Sequence, residues 1–197
     1  RESDISFFFL LFFTLFFAMI MGDGGYGIIL LIGTIAVAAK TKTKNNAIFL
    51  LFVLSIATIV WGAVTGTWFG MEAAMKVPFL KAMVIPGFAN YPQYFGVEST
   101  AAQNNIIKFS FSIGAIQMAI GSLISVKKKI GEKNLSFVAD IGWLISVVAM
   151  YLLSLFLVIN EPINIKPVFI LIGVSFAMVV IFGGMGPGIS FADGLKA

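Results

Sequence analysis

The chain of 197 residues contains no cysteine and no histidine, and only 11% of its residues are charged. Without cysteine there is no disulfide framework and no thiolate metal site. Without histidine, the commonest metal ligand and proton shuttle is also missing. We therefore expect no metal site. We also predict no cofactor and no catalytic residue in this chain.

Charge is scarce because apolar residues dominate: 59% of the chain is hydrophobic, and its mean hydropathy is +1.02. Soluble domains carry about 25% charged residues, so this composition excludes an ordinary globular enzyme. It predicts an all-α, polytopic transmembrane helical bundle that forms one domain over residues 1–197. Because a spanning helix needs about 20 mostly apolar residues, we predict six spans, near residues 5–21, 26–39, 47–69, 106–126, 135–159 and 167–184.

A long connection, residues 71–105, separates the third and fourth predicted spans. Its apolar stretches are short and are interrupted by charged residues and prolines, so they do not predict a span. We expect an outer interfacial loop that contains interfacial or re-entrant helices. Tyr91 and Tyr94 are predicted to anchor this loop at the level of the lipid headgroups.

The lysines predict the orientation in the membrane. With six spans, both chain termini and the two basic clusters lie on the same side. The positive-inside rule places that side in the cytoplasm. This explains the formal net charge of +4 without nucleic acid, which we do not expect as a partner. The clusters are Lys40, Lys42 and Lys44, and Lys127, Lys128, Lys129 and Lys133.

The most informative local pattern is Met-Gly-Asp-Gly-Gly-Tyr-Gly, residues 21–27, between the first two predicted spans. A carboxylate is costly beside hydrocarbon, so Asp23 requires an explanation. It either caps the second helix by accepting backbone N–H bonds, or it helps to lead a cation into or out of a pathway. Glycines permit the positive φ values of a tight turn, and this role is assigned to Gly22, Gly24, Gly25 and Gly27.

A second glycine pattern ends the third predicted span, where Gly62, Gly66 and Gly70 are four residues apart. In a helix, this spacing leaves one face without side chains, so that another backbone can approach closely. We therefore interpret these three glycines as packing residues.

Asp140, a few residues inside the fifth predicted span, is the second candidate for an ion pathway. Three roles are open for it: lining a cytoplasmic access route, pairing with a lysine such as Lys133, or interacting with the helix dipole in the first turn. Ion pumps and carriers mark their pathways with ionisable residues inside the membrane. No lysine, arginine, histidine or glutamate lies near the middle of a predicted span, so the chain lacks a complete ion-coupling site.

The stretch from Phe12 to Gly27 resembles the membrane domain of the V-type rotary ATPase stator subunit, which is called subunit a in eukaryotes and subunit I in bacteria and archaea. In that family an aromatic first helix runs into a Met-Gly-Asp-x-Gly-(Tyr or His)-Gly turn. The tyrosine variant is typical of the prokaryotic branch. The glycine ladder from Trp61 to Gly70, which ends in Phe-Gly, is similar to a second element of the family.

The resemblance implies a non-catalytic, multi-pass subunit of an ion-translocating complex in a prokaryotic cell membrane. Such a subunit braces two half-channels against a rotor ring of proteolipid helices and couples the flow of H⁺ or Na⁺ to rotation. The implied partners are this ring, the lipid bilayer and, through a cytoplasmic domain, the peripheral stalk and the soluble ATPase head. Asp23 would then border the outer half-channel.

The chain departs from the family in two respects. The family carries an essential ring-facing arginine near its C-terminus, and this arginine is absent here because Arg1 is the one arginine of the chain. The large cytoplasmic domain is also missing, which predicts that the chain is a piece of a longer subunit. Two other classes remain open: a secondary transporter or channel, which would need charged residues at the membrane midplane, and a structural membrane scaffold.

Overall fold

The computed structural model describes residues 6–41, 45–132 and 134–185. Within these ranges every regular element is helical, as the composition predicts. Three short 3₁₀ turns (Glu72–Lys76, Pro86–Phe88 and Pro92–Phe95) lie between the third helix and the fifth. The α-helices are α1 (Ser6–Met21), α2 (Gly24–Thr41), α3 (Asn46–Thr65), α4 (Pro78–Ala82), α5 (Ser99–Gly131), α6 (Phe137–Ser154) and α7 (Ile165–Phe182).

Five of the described helices are long and apolar enough to cross a membrane: α2, α3, α5, α6 with its continuation to Ile159, and α7. The described part of α1 is also apolar, but its 16 residues rise only about 24 Å. That length is shorter than the hydrocarbon core of about 30 Å. The sixth span therefore stays a prediction, and Ile5, where we expected it to begin, lies outside the described residues.

Three helix ends differ by several residues from the ends of the predicted spans. α3 ends at Thr65 instead of Phe69, because Gly66 adopts a left-handed φ of 75° and its N–H bonds to the carbonyl of Gly62. α5 begins at Ser99 instead of residue 106 and continues to Gly131. Its first two turns are polar, so hydropathy did not assign them to a span, although nothing in their sequence opposes a helix.

The chain forms two compact units, and the boundary after Ile106 lies within α5. In the first unit, α2 and α3 approach closely at Gly27, where an added Cβ would lie 2.8 Å from the backbone nitrogen of Ile59. The buried hydroxyls of Ser55 and Thr58 donate to carbonyls one turn earlier in α3. These two hydroxyls are therefore satisfied without water.

Residues 71–98, which we call the loop cap, form a small structure with its own apolar core. Its backbone bonds to the last turn of α3: the N–H of Ile85 donates to the carbonyl of Val64 at 3.0 Å, and that of Asn90 to Thr65 at 2.9 Å. The cap thus satisfies carbonyls that a helix end leaves without partners. Its buried core residues are Ala74, Met75, Val84 and Ala89, against which Trp68, Leu80, Tyr91, Tyr94 and Phe95 pack.

In the second unit, α6 and α7 pack closely at Gly142. An added Cβ there would lie 3.0 Å from the carbonyl oxygen of Ser175 and 2.9 Å from Cβ of Met178. α6 continues as a π-helix over Leu155–Ile159, which ends where Asn160 adopts a φ of 58°. The small residue at the crossing permits the close approach of the two helices.

We predict that Gly62→Ala strongly destabilises the first unit. The new Cβ would lie 2.0 Å from the backbone nitrogen of Gly24 and 2.4 Å from its Cα, and backbone atoms cannot move aside as a flexible side chain can. Overpacking typically costs about 1–3 kcal/mol, and we expect the upper end of this range or more. Thermal unfolding in detergent micelles measures the effect.

Gly33→Ala is the matched control, because no neighbouring atom of the described residues lies within 4 Å of the Cβ that it would add. In a helix this change is neutral or stabilising, by up to about 1 kcal/mol. Equal melting temperatures for the two variants would contradict the packing that we describe between α2 and α3.

Candidate functional site

Asp23 lies between α1 and α2, and only 5% of it is exposed. Gly22, with a φ of 66°, turns the chain after α1, and α2 begins directly after the aspartate. The Asp23 Oδ1 accepts the backbone N–H of Gly25 at 2.7 Å. This is the geometry of a helix cap, in which a side-chain oxygen satisfies an N–H group of the first turn.

Two further donors come from residues far along the chain. The N–H of Phe69 donates to Oδ1 of Asp23 at 2.8 Å, and the N–H of Gly70 donates to Oδ2 at 2.8 Å. In addition, the N–H of Gly24 donates to the carbonyl of Thr67 at 2.9 Å. Hydrogen bonds to a charged group contribute about 1.5–3 kcal/mol each. The carboxylate therefore holds the turn after α3 against the start of α2.

The turn glycines are needed for the close contacts around this carboxylate. An added Cβ at Gly24 would lie 2.8 Å from the ring of Trp68, and one at Gly25 would lie 2.6 Å from the ring of Phe69. Gly62 faces the backbone of Gly24 at a still shorter distance. Side chains at these positions would push α2 away from the turn and break the hydrogen bonds to Asp23.

Phe69 is held in a conformation that its side chain disfavours. Its φ is 52°, between glycines with φ values of 75° at Gly66 and 64° at Gly70. Such backbone strain costs about 1–3 kcal/mol and persists only where surrounding contacts impose it. Here the imposing contacts are the hydrogen bond to Asp23 and the edge-on packing of the Phe69 ring against Tyr26, with 5.9 Å between the ring centroids.

The glycine ladder does not form one helix face, as its spacing led us to expect. Gly62 contacts the backbone of α2, whereas Gly66 faces the side chains of Met75 and Val84 in the loop cap. Gly70 lies beyond the end of α3, and within the described part of the chain no neighbouring atom comes within 4 Å of an added Cβ there. Its contribution is a positive φ and the N–H that it donates to Asp23.

Asp140 lies in the first turn of α6 and connects this helix to α5. Its Oδ2 accepts the hydroxyl of Ser125 at 2.6 Å, and its Oδ1 lies 2.9 Å from Nζ of Lys129. The predicted partner Lys133 lies outside the described residues. The side chain of Asp140 is 13% exposed, so the ion pair is largely shielded from solvent.

A second polar connection joins α5 to the chain near the opposite end of α6. Lys108 forms an ion pair with Glu161, and the hydroxyls of Ser112 and Tyr151 lie 2.9 Å apart. Sequence reasoning missed these contacts. The alternation of predicted spans does place Lys108 and Glu161 on the same side of the membrane, but it gives no pairing.

The two candidate carboxylates lie in different units. Among residues 6–41, 45–132 and 134–185, no three acidic side chains are grouped in a way that could hold a metal ion. Asp23 accepts backbone donors and Asp140 pairs with a lysine. Both arrangements suit the positioning of helices, and a role of either residue in an ion pathway stays a prediction.

The chain is similar in sequence to three bacterial proteins of known name. The chain is 33% identical over 191 residues to the V-type ATP synthase subunit I of Borreliella burgdorferi, an alignment that covers 93% of this chain and 30% of the relative. It is 31% identical over 168 residues to V-type ATP synthase subunit I 1 of Treponema pallidum, which covers 81% of this chain and 25% of the relative. A subunit I of Chlamydia pneumoniae is 22% identical over 190 residues.

No family model and no solved structure matched the chain. The apolar helices and the bacterial relatives define a multi-pass membrane protein. The chain belongs to the V-type ATP synthase subunit I family, as its glycine-rich turn predicts. It spans less than a third of the length of the relatives that it matches.

We predict that Asp23→Asn lowers the free energy of unfolding by about 1–3 kcal/mol and that Asp23→Ala lowers it further. Asparagine keeps an acceptor for Gly25 and Phe69, but its amide group faces the N–H of Gly70 in place of Oδ2. Alanine leaves all three N–H groups without their acceptor. Denaturant unfolding gives the stability, and hydrogen exchange at Phe69 and Gly70 reports the local opening.

Glu132→Gln serves as the control, because Glu132 is an exposed carboxylate of the second unit. It should leave stability and the exchange of both amides unchanged within about 0.5 kcal/mol. If Asp23→Ala also leaves stability and amide exchange unchanged, the three hydrogen bonds do not hold the turn.

A further prediction concerns the pair between Lys129 and Asp140. In a double-mutant cycle of Lys129→Met and Asp140→Asn, we expect the two side chains to contribute a favourable coupling free energy of unfolding of about 0.5–3 kcal/mol. The reason is that the two groups are in contact and partly shielded from solvent. Lys128→Met with Asp140→Asn is the matched cycle, since Lys128 is the exposed neighbour of Lys129. Similar coupling in both cycles would show that general charge, and not this pair, links α5 to α6.

Proposed function

We propose that this chain forms part of the membrane stator of an ion-translocating V-type rotary ATPase. In this role it braces the half-channels against the proteolipid ring, so that the flow of H⁺ or Na⁺ is coupled to rotation. The observation that carries the proposal is the similarity over 93% of the chain to a protein named V-type ATP synthase subunit I. The ion-translocating activity, the contact with the proteolipid ring and the binding of the other subunits are all proposed for this chain.

The contacts within the first unit support a bracing role. A stator must hold its helices in place while a rotor turns against it, so flexible connections would dissipate torque. Here the turn after α3 is tied to α2 through Asp23, and the loop cap is tied to the last turn of α3. In each of these connections the donor is a backbone N–H group, which has little conformational freedom of its own.

The proposal also covers the location and orientation of the chain. We propose six spans in a bacterial cell membrane, with both termini and the basic clusters in the cytoplasm. The turn that contains Asp23 then lies at the outer boundary. The peripheral stalk and the soluble ATPase head would bind through parts of the subunit outside these 197 residues, since the relatives are more than three times as long as the aligned segment.

For Asp23 itself we propose a holding role instead of direct ion transfer. Its carboxylate is buried and accepts three backbone N–H groups, so a passing cation would have to displace hydrogen bonds that maintain the fold. Its effect on ion flow would therefore act through the geometry of α2 and α3.

Extraction of the native complex in mild detergent, followed by mass spectrometry, tests the stator assignment. We expect this chain to co-purify with a small proteolipid and with ATPase head subunits, and we expect peptides from the same polypeptide outside these 197 residues. The purified complex should also show ATP-driven ion uptake in proteoliposomes. Recovery of the chain with neither ring nor head would contradict the proposal and favour a transporter or a scaffold.

Asp23→Asn in the same complex separates the two roles of this carboxylate. A holding role predicts that ion uptake falls together with thermal stability and with the amount of ring recovered. Loss of uptake by a complex of unchanged stability and composition would instead assign Asp23 to the ion pathway. The control Glu132→Gln should leave all three measurements unchanged.

A further inference from the structure

The loop cap has apolar side chains on its outer surface as well as in its core. Met71, Val77 and Phe79 are 53%, 45% and 72% exposed, although each belongs to a short segment that packs around buried Ala74 and Met75. Scattered exposed apolar residues are normal on a soluble surface. In the loop cap, however, the exposed residues include Phe79, whose side chain is almost three-quarters exposed. The cap has only 28 residues and is connected to predicted membrane helices.

The direction of Phe79 is set by its neighbours in α4. Leu80 packs against the cap core, and Nζ of Lys81 lies 5.4 Å from the ring centroid of Phe95 and 5.9 Å from that of Tyr94. Leu80 and Lys81 therefore face the cap, and α4 exposes the side of the helix that these two residues do not occupy. Phe79 occupies that side, preceded by the exposed residues Lys76 and Val77.

The depth of the cap follows from its bonds to α3. This helix has 20 residues and therefore rises about 30 Å, which matches the hydrocarbon core. The cap backbone bonds directly to Val64 and Thr65 in its last turn. The cap is thus at the membrane boundary, where water gives way to headgroups and acyl chains.

An aromatic pair beside the cap belongs to the same boundary. Tyr26 in the first turn of α2 and Phe69 in the turn after α3 are 52% and 45% exposed, and their rings pack edge to face. Along α2, exposed Ile29 and Ile32 follow Tyr26. An exposed apolar surface therefore continues from the helix to the turn that leads into the cap, as in the aromatic belts of membrane proteins.

We propose that the loop cap is anchored in the phospholipid surface through the segment Lys76–Phe79. Val77 and Phe79 enter the region between headgroups and acyl chains, and Lys76 contacts the headgroups of anionic lipids. The two tyrosines that the sequence predicts as anchors also contact the protein, and their role as anchors stays a prediction. Tyr94 packs on the cap core, and the Tyr91 hydroxyl donates to the carbonyl of Gly70 at 2.8 Å.

The absence of cysteine from the chain allows a direct test with spin labels. Phe79→Cys is introduced into the whole subunit, with any cysteine elsewhere in the subunit replaced by serine, and the complex is reconstituted in vesicles of phosphatidylethanolamine and phosphatidylglycerol. Electron paramagnetic resonance then compares the collision rates of the label with oxygen, which partitions into lipid, and with a water-soluble nickel chelate. Glu98→Cys is the control position, an exposed charged residue of the same cap.

The lipid anchor predicts high access of oxygen and low access of nickel at Phe79, at a depth of about 5–10 Å below the phosphates. The label at Glu98 should collide with nickel several times more often. High access of nickel at Phe79 would overturn the proposal, because it would place the side chain in water. Protection from both reagents would also overturn it, because it would place the side chain against another protein.

Val77→Cys provides a second position in case labelling at Phe79 disturbs the cap. Lys76→Gln tests the electrostatic part of the same anchor. In vesicles with phosphatidylglycerol it should move the Phe79 label toward water, whereas in vesicles of phosphatidylcholine alone the substitution should have little effect. An equal shift in both lipids would contradict the contact of Lys76 with headgroups of net negative charge. The inference does not depend on the proposed stator role.

Discussion

The hydrogen bonds of the Asp23 carboxylate join the start of α2 to the turn after α3, beside the bond from the N–H of Gly24 to the carbonyl of Thr67. One oxygen accepts N–H groups from the start of α2 and from Phe69, and the other accepts the N–H of Gly70. A buried carboxylate without partners is expensive, but one that accepts several backbone donors is stabilised. The strained Phe69 and the glycine contacts around it both depend on this arrangement.

The second unit is held together in a different way. α6 and α7 approach at a glycine and pack through small side chains, as membrane helices commonly do. α5 is instead connected to α6 through the pair of Lys129 and Asp140, and to the chain after α6 through Lys108 and Glu161. Helices that pack closely are positioned by shape, whereas α5 is positioned by directional contacts near both ends of α6.

Local sequence patterns account for most of the helices and for part of the site. Runs of apolar residues located α2, α3, α6 and α7 within a few residues, because the thickness of a bilayer sets the length of such runs. The polar first turns of α5 were not predicted, because hydropathy indicates burial in lipid and not helix formation. The Met-Gly-Asp-Gly-Gly-Tyr-Gly turn pointed to Asp23 and to the subunit I family, and the similarity to bacterial subunits I confirms the family.

The sequence by itself determined that the chain is helical, that it belongs in a membrane, and that Asp23 lies in a turn where glycines are required. Only the tertiary structure decided what Asp23 binds, because Phe69 and Gly70 are 46 and 47 residues away and donate through backbone N–H groups. Every residue except proline carries such a group, so its use leaves no mark in the sequence. For the same reason, the attachment of the loop cap to α3 became visible only in the folded chain.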